Sequence, residues 1–516
     1  MYLDDRATPQ ALKHEWLLLL SVTVVGIVVS LLLYSTDRYS LLYYGDAVSH
    51  LVGSRKIADW ENPGLVQIGT VWLPLPHLLL LAPSLVDPLF TTGLAGTVVS
   101  LPSLALGTLL LYRIVRDQCM LHPSSKDSSM AYLLALLYAF NPNIMYLGIV
   151  AMTEAVFMLF LLASIYYLQR WLRLGYARDL LLSSSFVSLA TLCRYEGWFL
   201  PVLLIASVTA LAIRYRRKEG LQLLRMVPIS LLSTTGIVLW LAWNYSIYGD
   251  PLEFSNAEYY SAAWYAMHNQ YHEMFFMKPL SVIDVYMYNA VHVHGPLLLT
   301  GMAGYLIYLR GSVKGSKVIL PLFLILPPAF TIASMLIGVG EMNYVYNSRF
   351  TVLLSPLLLI MTSFLIRRSL RYKWYIIAPL LLWNILLLAS GVMTYMDAYA
   401  GYSARDVQLA VDAGEALRLL YDGEGRIMVL AGSSLEHRIM ITSGIALNRF
   451  DEMIDHSTWK ASFRIPWLYD TWLVMAKRPM HDAMNVTTYW LEREDELLMH
   501  YKVVYENENY RMMRLM

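Results

Sequence analysis

Asp46 follows Gly45, His50 comes four residues later, and Arg55-Lys56 comes after that. Further along stand Trp72-Leu73-Pro74-Leu75-Pro76-His77, then Glu154, then Arg194-Tyr195-Glu196, and finally Ser348-Arg349-Phe350. An Asp at a helix start can cap the first turn by accepting from backbone N–H groups. The same carboxylate can act as a general base on a hydroxyl, and residue type alone leaves both readings open for Asp46. Positions i and i+4 share a helix face, so His50 should lie beside it. Arg349 is the first choice for holding a phosphate, because a planar guanidinium fork matches phosphate oxygens. Arg194, Arg55 and Lys56 stand in reserve. Each has a plainer alternative: Arg194 can pair with Glu154 or Glu196 inside a helix bundle, and Arg349 can snorkel to a membrane interface. Glu154 and Glu196 are read as groups that orient others, and with His77 they complete the candidate set for binding substrate and lipid phosphate.

Histidines at i and i+4 can bind a divalent ion. Asp46 with His50, and His268 with His272 near Glu273, His292 and His294, therefore make a divalent metal a candidate cofactor. Hydrogen-bonding histidines in a Tyr-rich loop are the blander reading. No cofactor follows firmly from the sequence.

These residues need a scaffold, and composition points to a membrane. Of 516 residues, 57% are hydrophobic and only 15% charged, against about 25% in an ordinary soluble domain. Mean hydropathy is +0.48. A net charge of +1 gives no reason to expect nucleic acid. Apolar runs near 16–35, 92–112, 130–149, 153–169, 180–196, 198–213, 227–247, 286–308, 318–338, 350–366 and 375–395 predict about eleven transmembrane helices. The run from Leu17 to Leu33 reads as a retained anchor. Trp72–Leu89 is apolar but broken by four prolines, so it reads as helices lying at the interface. Cys119 and Cys193 are too far apart in the topology to form a disulfide framework.

With the N-terminus in the cytoplasm, the inner segments hold twenty Lys and Arg, and the outer segments before residue 398 hold six. This bias sets the expected orientation. It places Asp46, Glu154, Arg194, Glu196, Glu341 and Arg349 near the outer face. Residues 1–397 form the expected membrane domain, with a first outer loop at 36–91. Residues 398–516 lack a spanning run and read as an extracytoplasmic α/β domain. Its expected elements are a helix over Ala404–Leu420, a turn at Gly432-Ser433-Ser434, and strands near 426–431, 471–476, 501–505 and 510–515. The aromatics of the 248–284 loop, among them Tyr259, Tyr260, Trp264, Tyr265, Tyr271, Phe275 and Phe276, read as an interfacial belt or a lid. Asn485-Val486-Thr487 matches a glycosylation sequon.

An acid early in the first outer loop, a Pro-rich interfacial stretch and then a span resemble the GT-C superfamily of glycosyltransferases, nearest to family 39. That group includes protein O-mannosyltransferases and the lipid A aminoarabinose transferase. The matching pieces are Asp46 and Leu73-Pro74-Leu75-Pro76-His77, with Asn141-Pro142, Met152-Thr153-Glu154, Arg194-Tyr195-Glu196-Gly197-Trp198 and Ser348-Arg349-Phe350 in similar order. The family often pairs two acids, whereas Asp46 precedes Ala47. The resemblance implies a polyprenyl-phosphate sugar donor, a protein, lipid or glycan acceptor, Asp46 as general base, and inversion at the sugar carbon. The alternatives are a lipid or sugar transporter and a non-catalytic subunit of a cell-surface complex. The second of these would not need Asp46 or Arg349.

Overall fold

The computed structural model describes residues 9–516 apart from 119–124, 215–219, 221–222, 257–260, 262–263, 265–266, 269–271, 311–315, 341, 343, 345–346, 369, 401–403, 431–432, 452–458 and 479–485. Cys119, Glu341, Tyr259, Tyr260, Tyr265, Tyr271, Gly432 and Asn485 therefore lie outside the described residues.

Among the described residues, eight helices are long and apolar enough to cross a membrane, from Pro9–Thr36 to Lys373–Tyr399. A ninth span arises if Pro279–His294 and Pro296–Arg310, bent by 103°, count together. Two further expected spans fall on shorter helices, Ser125–Ala139 and Ala177–Thr191. The first ends at Asn141-Pro142, where the Asn141 side chain caps the next helix by accepting from Asn143 N–H. The second ends before Arg194, whose backbone is extended. The 103° bend centres on Gly295, at φ +48. A Cβ there would come within 2.3 Å of the Trp383 ring, so both backbone angle and space call for glycine. Gly304 lets Pro296–Arg310 press against Ser355–Arg368, since a Cβ would collide with the Met361 carbonyl. Close backbone approach through small residues is the usual way helices associate in lipid.

The loop at 36–91 folds into short helices, Gly45–Lys56, Pro74–Ser84 and Asp87–Thr92. Prolines take the first positions of the last two, where no N–H is needed. Pro74–Ser84 exposes Leu78 and Leu79 and buries Pro76, His77 and Leu80. One face of this segment thus closes over the loop, and the other presents leucines outward.

The C-terminal region holds a five-stranded sheet: β1 (Ile427–Leu430), β2 (Phe450–Asp451), β3 (Trp472–Ala476), β4 (Tyr501–Glu506) and β5 (Tyr510–Leu515). The order is β2-β1-β3-β5-β4. β1 runs parallel to β2 and β3, and β5 runs antiparallel to β3 and β4. Alternation along the strands divides the core. Ile427, Val429 and Val474 join the cluster that continues into the membrane bundle, while Met428, Leu430, Leu473 and Met475 pack with Trp490 and Leu497. The expected turn at Gly432-Ser433-Ser434 is corrected, because Ser433 and Ser434 open the helix Ser433–Ser443. β2, two residues long, carries too little periodicity to be read from sequence.

This region grips the start of the first loop. Arg438, almost fully buried, donates to the carbonyls of Leu42 and Tyr43, and His437 Nδ1 lies 2.8 Å from Ser49 Oγ. Tyr39 donates to Glu415 at 2.6 Å, and Arg426 reaches Glu61 at 2.6 Å. The helix carrying Asp46 is therefore held from both the bundle and the C-terminal region.

Candidate active site

Asp46 lies in the first turn of Gly45–Lys56, where the helix dipole favours a negative charge. Its side chain is not used as a cap: Tyr44 is the N-cap residue, and no side chain caps this end. The carboxylate instead accepts from Arg349 Nη2 at 2.5 Å, across 303 residues of sequence. Arg349 opens the 3-10 turn Ser348–Leu354, just after Asn347 in the left-handed conformation at φ +59. The alternative of a snorkelling Arg349 is thereby corrected, since the side chain turns inward and is 10% exposed.

From this pair a line of charge runs into the bundle. Arg349 Nε lies 3.7 Å from Glu154 Oε1, Arg194 Nη1 lies 2.8 Å from the same oxygen, and Arg194 Nη2 lies 2.6 Å from Glu196. Thr153 Oγ1 also accepts from Arg194 at 2.8 Å. Phe350 lies beneath both guanidinium groups, 5.2 and 5.3 Å from its ring centre. Three acids thus face two arginines, and only Asp46 reaches outward, with 42% of its side chain exposed against 2% for Glu154. Glu154 Oε2 and Arg349 Nε are sealed from solvent and lack a hydrogen-bond partner. Burial works to raise the Asp46 carboxyl. Arg349 and then His50 outweigh it and hold Asp46 below the usual carboxylate range, so it is ionised at neutral pH.

Sequence reasoning missed Asp397. Its carboxylate accepts from the backbone N–H groups of Asn347 and Ser348 and from Ser348 Oγ, each at 3.1 Å, and from Tyr44 OH at 3.0 Å. It ties the Arg349 turn to the residue that precedes the Asp46 helix. The available signal is an acid just past a long apolar run, at the expected boundary between the two regions.

The remaining candidates fall into other groups. Arg55 pairs with Asp59 at 2.8 Å and Asp87 at 2.7 Å, and the Lys56 ammonium sits 4.0 Å from the centre of the Trp60 ring. Nine and ten residues past Asp46, at 1.5 Å rise each, they lie about 14–15 Å further along the helix. His77 is fully buried and joins His50, with Nε2 3.0 Å from His50 Nδ1. His268 lies 2.8 Å from the Trp264 carbonyl and stacks on the Trp264 ring, and His272 stacks on Phe276. Among the described residues, no group of three or more His, Cys, Asp or Glu comes together that could hold a metal ion. Asp46 is engaged by Arg349 rather than by a histidine cluster.

No family model matches this sequence, and no curated protein matches it either. Solved structures do match in fold. Apo ArnT from Cupriavidus metallidurans superposes with a TM-score of 0.57 at 12% identity, over 95% of this chain and 97% of that one. The same protein bound to undecaprenyl phosphate gives 0.56 at 12% identity with the same coverage. The apo oligosaccharyltransferase of Archaeoglobus fulgidus gives 0.48 at 13% identity, over 91% of this chain and 71% of that one. The ArnT likeness runs nearly the full length of both chains, and the fold of this integral membrane protein is accordingly the GT-C fold.

Proposed function

We propose that this protein transfers a sugar from a polyprenyl-phosphate donor to an acceptor at the outer membrane face, with inversion at the sugar carbon. The observation that carries the reading is the contact between Asp46, exposed and ionised, and Arg349, buried and only partly satisfied. A carboxylate and a guanidinium at one membrane-edge position supply the two functions such a displacement needs. The acceptor oxygen attacks C1 and passes its proton to Asp46. The bond from C1 to the phosphate oxygen breaks, and the phosphate leaves with the electron pair. Arg349 stabilises that departing charge. A phosphate that draws Arg349 toward itself also loosens the ion pair holding Asp46 low, which makes Asp46 a stronger base when donor is bound. Glu154, Arg194 and Glu196 keep Arg349 in place. ArnT has been crystallised with undecaprenyl phosphate, which makes that carrier the first to test. The cation bias of the loops supports an outward-facing site.

A transporter reading draws on the single break at Gly295, beside the buried His294. Transporters of that kind place broken helices in two related halves. Among the described residues there is one such pair.

The test is Asp46→Asn in the purified full chain, supplied with lipid-linked sugars extracted from membranes. Transfer should fall at least about a hundredfold, while the variant still binds undecaprenyl phosphate. Wild-type rates from correctly folded D46N would remove the basis of the proposal.

A further inference from the structure

One helical turn from Asp46 lies a second arrangement that the chemistry above does not use. His77 Nδ1 is 3.1 Å from the Leu73 carbonyl, four residues earlier on its own helix. A carbonyl only accepts, so Nδ1 carries the hydrogen. Burial pushes His77 down to about 3, so the ring is neutral and its Nε2 is a lone pair. That lone pair lies 3.0 Å from His50 Nδ1, which must therefore donate. Burial also pushes His50 down to about 4, so it too is neutral, and its remaining nitrogen Nε2 is a lone pair. One backbone carbonyl thus fixes two tautomers in series. Trp72, with its ring centre 4.4 Å from that of His50 and 5.7 Å from that of His77, packs beside both rings.

His50 Nε2 has no hydrogen bond to a described residue. Unlike Glu154 Oε2 and Arg349 Nε, it is not among the unpartnered atoms sealed from solvent. His50 shares a helix face with Asp46, about 5–6 Å away at the Cβ atoms. The charged groups that act on it are Asp46 from its own helix, Arg349 from the Ser348–Leu354 turn, and Arg194.

Resting on the glycosyl-transfer reading, we propose that His50 is the second contact for the acceptor, with Nε2 receiving a hydrogen from the acceptor molecule one helical turn from Asp46. Two hydrogen-accepting groups at that spacing fit a molecule with two neighbouring O–H groups. One loses its proton to Asp46 as it attacks. The other stays intact and donates to His50. A vicinal diol of a carbohydrate has this form, whereas the single hydroxyl of a serine or threonine side chain does not. The acceptor class is thus a sugar, free or in a glycan or glycolipid. His77 and the Leu73 carbonyl are positioning groups that act through His50.

The lock and the contact are tested separately. In the full chain labelled with ¹⁵N-histidine, with signals assigned through H50Q and H77Q, both rings should show hydrogen on Nδ1 and a bare Nε2. H77F should let His50 populate the other tautomer. In transfer assays with lipid-linked sugars extracted from membranes, acceptor probes are a methyl glycoside bearing a vicinal diol and its deoxy analogue. H50F should raise the acceptor KM about tenfold for the diol and leave the deoxy analogue unchanged, with undecaprenyl phosphate binding intact. H50Q, which keeps an accepting oxygen, should recover part of the loss. Hydrogen on His50 Nε2 in the wild type overturns the proposal. So does an unchanged acceptor KM in H50F while D46N abolishes transfer, and that result spares the underlying reading. No transfer by the wild type overturns that reading and this proposal together.

Discussion

Two regions of the molecule bury carboxylates, with opposite consequences. Along the line from Asp46 to Glu196, arginines alternate with acids, and Asp46 is held below its ordinary range. At one end of the C-terminal sheet, Asp451 and Asp470 are each 1% exposed, and one arginine acts on both. That arginine, Arg426, is 3.8 Å from Asp451 and already 2.6 Å from Glu61. Burial first, and then the charge of Asp451, push Asp470 up to about 8. A guanidinium in contact favours the charged form of an acid, while burial beside a second acid favours the protonated one. The first region is arranged to hold a carboxylate charge; the second disfavours it at Asp470.

The sharpest way to break this contrast is to remove Arg349. R349M removes the cation in contact with Asp46 and near Glu154 and should cost about 1–3 kcal/mol of stability, less than a fully buried pair because Asp46 is 42% exposed and Glu154 keeps Arg194. In R349M/D46N, much of the stability should return while binding of undecaprenyl phosphate stays lost; thermal unfolding and native mass spectrometry separate the two effects. Next comes Arg438. R438M strands the carbonyls of Leu42 and Tyr43 and should cost about 1–3 kcal/mol, read as a lower unfolding temperature. A neutral result would mean that the C-terminal region does not hold the Asp46 helix.

Asp470 gives a smaller, pH-dependent effect. Its folded value of about 8 lies above the ordinary unfolded value of about 3.9. Folding therefore takes up a proton between those values, and this contribution to stability is complete below about pH 4 and lost as pH rises through about 8. D470N should match the wild type below about pH 4, pull ahead of it as pH rises through about 5 to 8, and exceed it by several degrees in Tm near pH 8. His437, which burial pushes down to about 3, acts in the opposite sense by losing stability as pH falls below about 6.5. Taking the difference between variant and wild type cancels it. A pH-independent difference would contradict the assignment. The smallest effect belongs to Arg55, paired with Asp59 and Asp87 away from Asp46. R55A should change transfer less than about threefold, in keeping with a screened, partly exposed pair.

Much of this architecture is visible in residue order. Hydropathy marks the spans because lipid demands long apolar helices. Apolar residues at helical spacing give the helix Ala404–Leu420, and short apolar runs give four of the five strands. The helices Ser125–Ala139 and Ala177–Thr191 show where length fails as a guide, since Asn141-Pro142 and the extended Arg194 cut the runs. At the site, ionisable residues at a membrane edge single out Asp46, Glu154, Arg194, Glu196 and Arg349, because charge there is expensive. Which of them meet is a matter of tertiary packing. Nothing local says that Asp46 should take Arg349 rather than cap its own helix, or that Arg55 should turn to Asp87. Asp397 was hidden for the same reason: its partners are backbone N–H groups fifty residues earlier and a tyrosine more than three hundred residues earlier.

The most direct measurement of the central claim is undecaprenyl phosphate binding to the purified full chain by native mass spectrometry, comparing wild type, D46N and R349M. The account predicts that wild type and D46N bind and that R349M, in a folded state, binds at least about tenfold more weakly. Binding by folded R349M as tight as the wild type would contradict it.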